Sequence, residues 1–421
     1  MGHASHTEWR AAAYEVVQQL RAQMASPAHA SRPRLGLIYC SHSYAPHAVA
    51  LLNYLSQALP QVHDWSGCSA AGVLAQDREY SRQPALAVML LDLPAAHYRI
   101  YSGLLPLGML GDEAGFTAQT ALVHADAQIP ELPEVLQELS QRTSCGQLLG
   151  GVSSGEETGV QFALRAEEYR AQQAGASAGV LHGGLSGVAW SGEVQTVTRM
   201  AQACVPLLAP LTITGTIGNL VTELDGKPAL PWLLKALELS EGTDWHAALG
   251  KVRSTMVAIA PVGRAMFHAG LGPHAQVRSM MGLDPRQQAI ALAAPVQIGE
   301  SLIFCRRDAK TARQGVLQMG AALRDALSSE QITQTSNIDT SMDHPWLGSS
   351  GMPEPSRIRG AIYISCRGRG GGLFGGEHAE LKTLRHALGK VPVIGFQAES
   401  EIMHGKLQRF ASVLTVFTEP S

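Results

Sequence analysis

The chain has 421 residues and a formal net charge of −3, and hydrophobic residues make up 45% of it while charged residues make up only 16%. This composition supplies enough apolar side chains for two or three globular cores and excludes a disordered or coiled-coil protein. The near-neutral charge argues against nucleic acid or an anionic membrane as a partner.

Apolar runs, the N-terminus and the cysteines together predict a cytoplasmic protein. The longest apolar runs, such as residues 85–93, are strand-sized and far shorter than the roughly 20 residues of a membrane helix. Residues 1–10 lack the apolar region of a secretory signal. The six cysteines are widely spaced with no CxxC pair, which fits reduced thiols.

Helix and strand patterns alternate along the chain, which predicts an α/β fold. An amphipathic helix is expected at 8–24, and a proline-containing break follows it. Further strand-like runs lie at 35–40, 86–93, 188–190, 257–261, 289–293, 360–366, 391–396 and 412–417, and helical patterns at 45–59, 231–237, 311–327 and 377–388. The sequence shows no internal repeat of solenoid length.

We therefore expect mixed sheets flanked by helices, arranged as two domains in tandem. The expected divisions are an N-terminal helix and linker at 1–32, a first domain at 33–212 and a second at 213–421. The polar, aperiodic stretch at 328–357 contains three prolines and is expected to form a long loop or lid in the second domain.

A glycine-rich segment at 366–376 (CRGRGGGLFGG), here called the glycine loop, connects a predicted strand to a predicted helix. Backbone N–H groups before a helix can bind an anion, and Arg367 and Arg369 would add forked donors for a carboxylate or phosphate. No Lys-[Ser/Thr] follows the glycines, so the segment is not a Walker A loop, and it does not match GxGxxG well. The alternative is a mobile loop with solvated arginines.

Two further segments carry candidate residues. Phe396, Glu399 and Glu401 follow the predicted strand at 391–396, where open α/β sheets bind ligands, and Glu401 could hold an amine; they could equally form an ordinary exposed turn. The segment GCSAAG at 67–72 departs by one residue from the G-x-S-x-G nucleophile elbow, and the preceding residues 61–66 look too polar for the strand an elbow needs. We expect a glycine-bounded turn there, and similar turns at 150–155 and 182–184.

Metal and cofactor motifs are not evident in the sequence. It has 16 histidines but no HExxH and no His–Cys pattern at zinc spacing, so no metal and no cofactor are expected. From 356 to 418 nine lysines and arginines stand against four acids, a modest excess that suits a small anion better than nucleic acid.

Taken together, these segments resemble the FIST family, whose members have a FIST N domain followed by a FIST C domain. The similarity rests on GCSAAG at 67–72, on Gly150-Gly151, on 223–230 (ELDGKPAL) and most specifically on CRGR at 366–369, LFG at 373–375, Glu380, PVIGF at 392–396 and Glu401-Ile402. The chain departs from the family pattern at Ser400, where a glycine is typical, and in the segment 403–406. The resemblance implies a sensory module that binds a small ligand such as an amino acid and that signals through a separate partner protein.

Three hypotheses follow. The first is a ligand-binding sensory protein without catalytic residues, whose ligand contacts would be Arg367, Gly368, Arg369, Gly370, Phe374, Gly375, Phe396, Glu401, Cys68 and Ser69. The second is a hydrolase or acyl transferase that uses Ser69 or Cys68, which requires a base within hydrogen-bond reach. The third is a protein-interaction scaffold with no ligand, in which the glycine loop covers no pocket.

Overall fold

A computed structural model describes residues 1–26, 29, 32–109, 115–153, 159–166, 179–239, 250–252, 254–263, 275–335, 358–370 and 373–419, with 328–335 described as backbone. Its helices are α1 Trp9–Met24, α2 Ala48–Ala58, α3 Leu132–Gln141, α4 Ala229–Ala236, α5 Ala309–Thr335 and α6 Ala379–Leu388. Short 3-10 turns lie at His42–His47 and Ala95–His97.

The strands fall into a main body and an inserted barrel. The strands of the main body are β1 Gly2–Ala4, β2 Leu35–Ser41, β3 Asp64–Ala70, β4 Gly72–Ala75, β5 Arg78–Tyr80, β6 Leu86–Leu91, β7 Tyr98–Ser102, β8 Thr120–Ala125, β9 Gln147–Val152, β10 Val160–Leu164, β11 Val180–His182, β12 Leu185–Trp190, β13 Thr196–Gln202, β22 Ile358–Cys366, β23 Val393–Ala398, β24 Ser400–Met403, β25 Lys406–Gln408 and β26 Ala411–Thr418. Those of the barrel are β14 Cys204–Pro206, β15 Leu211–Ile217, β16 Leu220–Leu224, β17 Lys227–Pro228, β18 Thr255–Ala260, β19 Gln276–Asp284, β20 Ala289–Leu292 and β21 Ser301–Arg307.

The main body consists of three six-stranded sheets with one common strand order. The first sheet is β1-β6-β2-β3-β10-β11, the second β7-β12-β8-β9-β24-β25, and the third β13-β26-β22-β23-β4-β5. In each sheet the two central strands are parallel and the other neighbours are antiparallel. A helix connects each parallel pair: α2 in the first unit, α3 in the second and α6 in the third. The body is therefore a threefold structural repeat that the sequence did not reveal.

The three units exchange hairpins in a ring. In each unit a hairpin follows the second parallel strand but joins another unit's sheet: β4–β5 pairs with β23, β10–β11 with β3, and β24–β25 with β9. Each sheet consequently combines strands from two units.

Each sheet is covered by helices on one face and by the other sheets on the second face. Helices α1 and α2 cover the first sheet, α3 the second, and α5 and α6 the third. The inner faces of all three sheets meet in one apolar core. The predicted α/β class, with mixed sheets flanked by helices, is confirmed; α1 packs directly into this arrangement, and β1 pairs with β6.

The barrel interrupts the third unit between β13 and α5. Its strands follow the order β21-β15-β16-β20-β19-β18, and β18 pairs again with β21, which closes the ring. One side of these strands packs on α4 in an apolar core. The opposite side of β18 and β21 forms a second apolar cluster, here called the barrel face, against which Phe410 of the main body packs.

Two expected turns are strands instead. The segment around Cys68 and Ser69 lies in β3, and Gly150 lies in β9. A Cβ on Gly67, Gly150 or Gly395 would lie 1.8, 2.0 or 1.6 Å from a carbonyl oxygen of the neighbouring parallel strand. The three glycines thus occupy equivalent positions in the three units and are required by close backbone approach, not by a turn.

The expected loop at 328–357 is wrong in its first part, because α5 continues to Thr335. The extension, SSEQITQT, contains no glycine or proline and includes Glu and two Gln, so it can continue the alanine- and leucine-rich helix before it. The remainder, 336–357, lies outside the described residues.

The exchanged hairpin β4–β5 is fastened to α6. The Glu79 carboxylate accepts a hydrogen bond of 3.0 Å from the backbone N–H of Leu381, in the first turn of the helix, and Arg385 donates to Gln76 at 2.9 Å. Burial raises the pKa of the Glu79 carboxyl to about 7, although the Leu381 N–H opposes that shift.

Replacing Gly395 by alanine should destabilise the protein by about 3 kcal/mol or more, because the added methyl group meets the backbone of Tyr363 and cannot be accommodated by a side-chain movement. Urea unfolding would measure the loss. Gly282→Ala is the matched control, because a Cβ there has nothing within 4 Å. Equal stability of the two variants would contradict the close approach.

Glu79 should make stability depend on pH. Its pKa is raised on folding, so its stabilising contribution is complete below pH 4.5 and is lost as pH rises through about 7. Between pH 5 and pH 8 the wild type should lose about 2 kcal/mol relative to Glu79→Gln, measured by urea unfolding at each pH. The exposed Glu193→Gln should follow the wild type; parallel curves for all three proteins would rule out this contribution.

Candidate functional site

The glycine loop lies at the carboxyl ends of the parallel strands β22 and β23, directly before α6. Open α/β sheets bind ligands at this edge. Two arginines from the end of the barrel and the start of α5 hold the loop: Arg307 Nη1 donates to the carbonyl of Gly368 at 3.0 Å, and Arg313 donates to the carbonyl of Phe374. Gly370 packs against Gln397, since a Cβ there would lie 2.9 Å from Gln397 Nε2. The described part of the loop is therefore anchored.

The two loop arginines have different surroundings, which sequence could not tell apart. The Arg367 side chain is 61% exposed and pairs with Glu399 at 3.0 Å. The Arg369 side chain is 0% exposed, and its Nε donates to Glu380 Oε1 at 2.9 Å. Its guanidinium also lies 5.5 Å from the ring centre of Phe374.

Arg369, Glu380 and Glu401 are all buried beneath the glycine loop, and we call these three residues the charge cluster. Glu380 accepts hydrogen bonds from the hydroxyls of Tyr363, at 2.8 Å, and Ser365, at 3.0 Å. Glu401 lies in β24 and is buried, so the alternative of an ordinary exposed turn is wrong for it. Its Oε2 accepts the Ala411 N–H at 3.0 Å. Glu401 is thus delivered to this site by an exchanged hairpin.

The electrostatics of the charge cluster favour one ion pair. Burial raises the pKa of Glu401 well above its usual value, although the Ala411 N–H and Arg369 oppose the shift. Burial acts to lower the pKa of Arg369, but Glu380 and Tyr363 outweigh it and the pKa is raised. Arg369 and Glu380 therefore form the charged pair, and Glu401 favours its neutral form.

Several polar atoms of this region lack partners. Within the described part of the chain, Arg369 Nη2, Glu401 Oε1 and Gln408 Oε1 are buried with no hydrogen-bond partner. Buried polar atoms are nearly always satisfied, and leaving one unpaired costs about 1–3 kcal/mol. A donor nitrogen beside acceptor oxygens can bind a small polar molecule that carries both kinds of group.

The remaining predicted residues lie elsewhere. Phe396 is in the central core, 5.1 Å from the ring of Tyr39 and 5.9 Å from that of His124. Cys68 and Ser69 lie in the first sheet, fully buried. The structure thus brings Arg367, Gly368, Arg369, Gly370, Phe374, Gly375 and Glu401 to one region, and separates Phe396, Cys68 and Ser69 from it.

Ser69 has a histidine neighbour that sequence spacing did not indicate. His42 Nδ1 lies 3.1 Å from Ser69 Oγ, and the same oxygen accepts the Val160 N–H at 3.0 Å. Burial raises the pKa of the Cys68 thiol well above its usual value, which keeps it protonated and a poor nucleophile. Ser69 therefore has a possible base beside it, whereas Cys68 is held in its thiol form.

A buried polar network joins the first and second sheets. Tyr39 and His124 Nε2 are 3.0 Å apart, His124 Nδ1 lies 3.3 Å from Ser186, and Gln161 links Ser186 to Ser153. Burial lowers the pKa of His124 to about 3, so the imidazole is neutral. The network is fully enclosed by the core, which suits a structural role.

A groove of about 410 Å³ lies at the C-terminal end of α6, away from the charge cluster at its N-terminal end. It is lined by Asp77, Lys382, Arg385, His386, Gly389 and Lys390. Basic side chains near a helix C-terminus are accounted for by the helix dipole and by the carbonyls left there. The groove is therefore not taken as the functional site.

Two features are absent from the described residues. They contain no group of three or more His, Cys, Asp or Glu side chains arranged to hold a metal. Their helices include none that is both long and apolar enough to cross a membrane.

The chain is similar to uncharacterized mycobacterial proteins over nearly its whole length. The chain is 26% identical to the uncharacterized protein Rv0628c of Mycobacterium tuberculosis H37Rv, over 100% of this chain and 99% of that protein. It is also 26% identical to the uncharacterized protein Mb0898c of Mycobacterium bovis, over 96% of this chain and 93% of that protein.

Family comparison covers most of both predicted domains. The FIST N domain matches residues 34–227, and the FIST C domain matches residues 235–404. The second match contains the barrel strands β18–β21 and the charge cluster, whereas the barrel strands β14–β16 fall in the first match. FIST domains are sensory domains of signal-transduction proteins. With both domains present in the expected order, the chain belongs to the FIST family.

Proposed function

We propose that this protein is a cytoplasmic sensory protein that binds a small ligand at the charge cluster beneath the glycine loop. The observation that supports it is the pair of buried, unpartnered atoms Arg369 Nη2 and Glu401 Oε1 at the carboxyl ends of β22 and β23. Ligand sites in α/β proteins typically have a few converging polar groups at this place.

The chemistry of the charge cluster favours an amino acid or another small anionic metabolite. The Arg369 guanidinium would donate to a carboxylate. An ammonium group would bind Glu401, and its charge would favour the ionised form of that carboxyl. The ligand would thereby satisfy polar atoms that are otherwise unpaired, which is a source of binding free energy.

Access requires the glycine loop to move, because Arg369 and Glu401 are both 0% exposed. Opening would break the hydrogen bond from Arg307 to Gly368 and the ion pair between Arg367 and Glu399. These two contacts are at the surface, where such bonds contribute little. The bond from Arg313 to Phe374 and the buried side chain of Phe374 are the larger part of the cost of opening. The signal would pass to a separate partner protein.

A thermal-shift screen with amino acids, small organic acids and phosphates tests this proposal. A ligand at a hundred times its dissociation constant should stabilise the wild type by about 2.7 kcal/mol. Glu401→Gln keeps the shape of the side chain but removes the carboxylate, and it should abolish the shift given by an ammonium-bearing ligand.

Arg367→Ala distinguishes a ligand bound at the buried charge cluster from a ligand bound on the exposed side of the glycine loop. If it leaves the shift intact while Glu401→Gln removes it, the site is the buried cluster. If only Arg367→Ala removes the shift, the ligand binds on the outside of the loop and the cluster is not the site. If no compound stabilises the wild type, the scaffold hypothesis is favoured.

The hydrolase hypothesis keeps one supporting observation, the 3.1 Å separation of His42 Nδ1 and Ser69 Oγ. Against it, Ser69 is fully buried and its oxygen already accepts a backbone hydrogen bond.

We expect p-nitrophenyl ester hydrolysis by the wild type to be no faster than by Ser69→Ala. The control is Ser66→Ala, another buried serine of the same strand. A loss of about 100-fold or more in Ser69→Ala alone would instead establish a nucleophilic serine.

A further inference from the structure

The turn between β25 and β26 lies between the charge cluster and the barrel. Its backbone binds three side chains of the site: the carbonyl of Phe410 accepts Arg369 Nη1 at 3.3 Å, and the N–H of Ala411 donates to Glu401 at 3.0 Å. The Phe410 N–H also hydrogen bonds to the thiol of Cys366. Any change at Arg369 or Glu401 therefore acts directly on this turn.

The side chain of Phe410 points the other way, onto the barrel. Its ring packs against the barrel face, which includes Met256 of β18 and Cys305 of β21. The guanidinium of Arg307, the last residue of β21, lies 5.3 Å from the centre of the ring. The same Arg307 holds the carbonyl of Gly368 in the glycine loop.

Phe410 adopts this position at a conformational cost. Its φ of 57° is in the left-handed region, which is rare for a bulky residue and costs on the order of 1 kcal/mol or more. Glycine would satisfy the backbone without that cost. The contacts of the aromatic ring therefore account for a phenylalanine at position 410. The ring also lies close to the glycine loop, because a Cβ on Gly368 would be 3.1 Å from it.

We infer that Phe410 and Arg307 couple the charge cluster to the barrel, so that occupancy of the cluster changes how firmly the barrel is held. Opening of the glycine loop removes the Gly368 carbonyl from Arg307. A ligand on Arg369 Nη2 shifts the guanidinium whose Nη1 donates to the Phe410 carbonyl. Both events loosen the contact of the Phe410 ring with the barrel face and with Arg307. This inference rests on the proposed function for its biological meaning, but the coupling exists without ligand.

Hydrogen exchange of the ligand-free protein, read on peptides that contain β18 and β21, tests the coupling. Arg369→Lys keeps a cation for Glu380 but loses the hydrogen bond to Phe410, and it should raise exchange in both strands about 10-fold. Arg367→Lys changes the exposed arginine of the same loop and should leave these strands within about twofold of wild type. Peptides from α1 report whether each variant is folded.

A double-mutant cycle separates coupling from general loosening. Phe410→Gly already removes the ring that joins the charge cluster to the barrel. Adding Arg369→Lys to this variant should therefore raise hydrogen exchange in β18 and β21 by less than about twofold. Full additivity, or equal effects of the two arginine variants, would overturn the inference. If Arg369→Lys does not fold, Glu401→Ala serves as the perturbation, because it removes the acceptor of the Ala411 N–H. Since no ligand is used, a failure here is distinct from a failed ligand screen.

Discussion

Every sheet of the main body has to be covered on both faces, and this constraint organises the rest of the structure. Helices cover the outer faces, whereas the inner faces cover one another in a single core. Strands buried on both sides consist largely of apolar residues, and the central parallel pairs approach so closely that glycine is required once in each. Polar groups inside such a core must satisfy one another, as the His124 network does.

Much of the fold could be predicted because its strands are apolar runs. The strands β2, β22 and β26 and the helix α1 lie close to their predicted positions. The strand β3 was missed because Asp64 and Ser66 make its start look like a loop. The Asp64 carboxylate is stabilised by hydrogen bonds from residues distant in the sequence, the Tyr98 hydroxyl at 2.6 Å and the Ala166 N–H at 2.8 Å. No local sequence pattern predicts these hydrogen-bond partners.

Part of the candidate site could be proposed from a local sequence pattern. The glycines and arginines at 366–376 form a local pattern that marks a strand-to-helix connection, and the structure places this segment at the edge where ligands bind in such sheets. Local patterns could not distinguish Arg367 from Arg369, since the difference depends on Glu380, which lies in the next helix. They also could not reveal Phe410, whose importance comes from contacts on both of its sides. The threefold repeat escaped notice because equivalent positions share a backbone geometry and hardly any side chains.

The ring of exchanged hairpins determines how late in synthesis the sheets can be completed, because a hairpin can pair with its partner strand only after both have been made. The hairpin β4–β5 is complete by Tyr80, but its partner β23 begins only at Val393. At typical elongation rates of about 5–20 residues per second, these strands leave the ribosome on the order of half a minute apart. Throughout that interval the nascent chain presents an open sheet edge, which is a template for wrong pairing. The unpaired edge of β4–β5 must therefore be protected from wrong pairing until β23 has been synthesised.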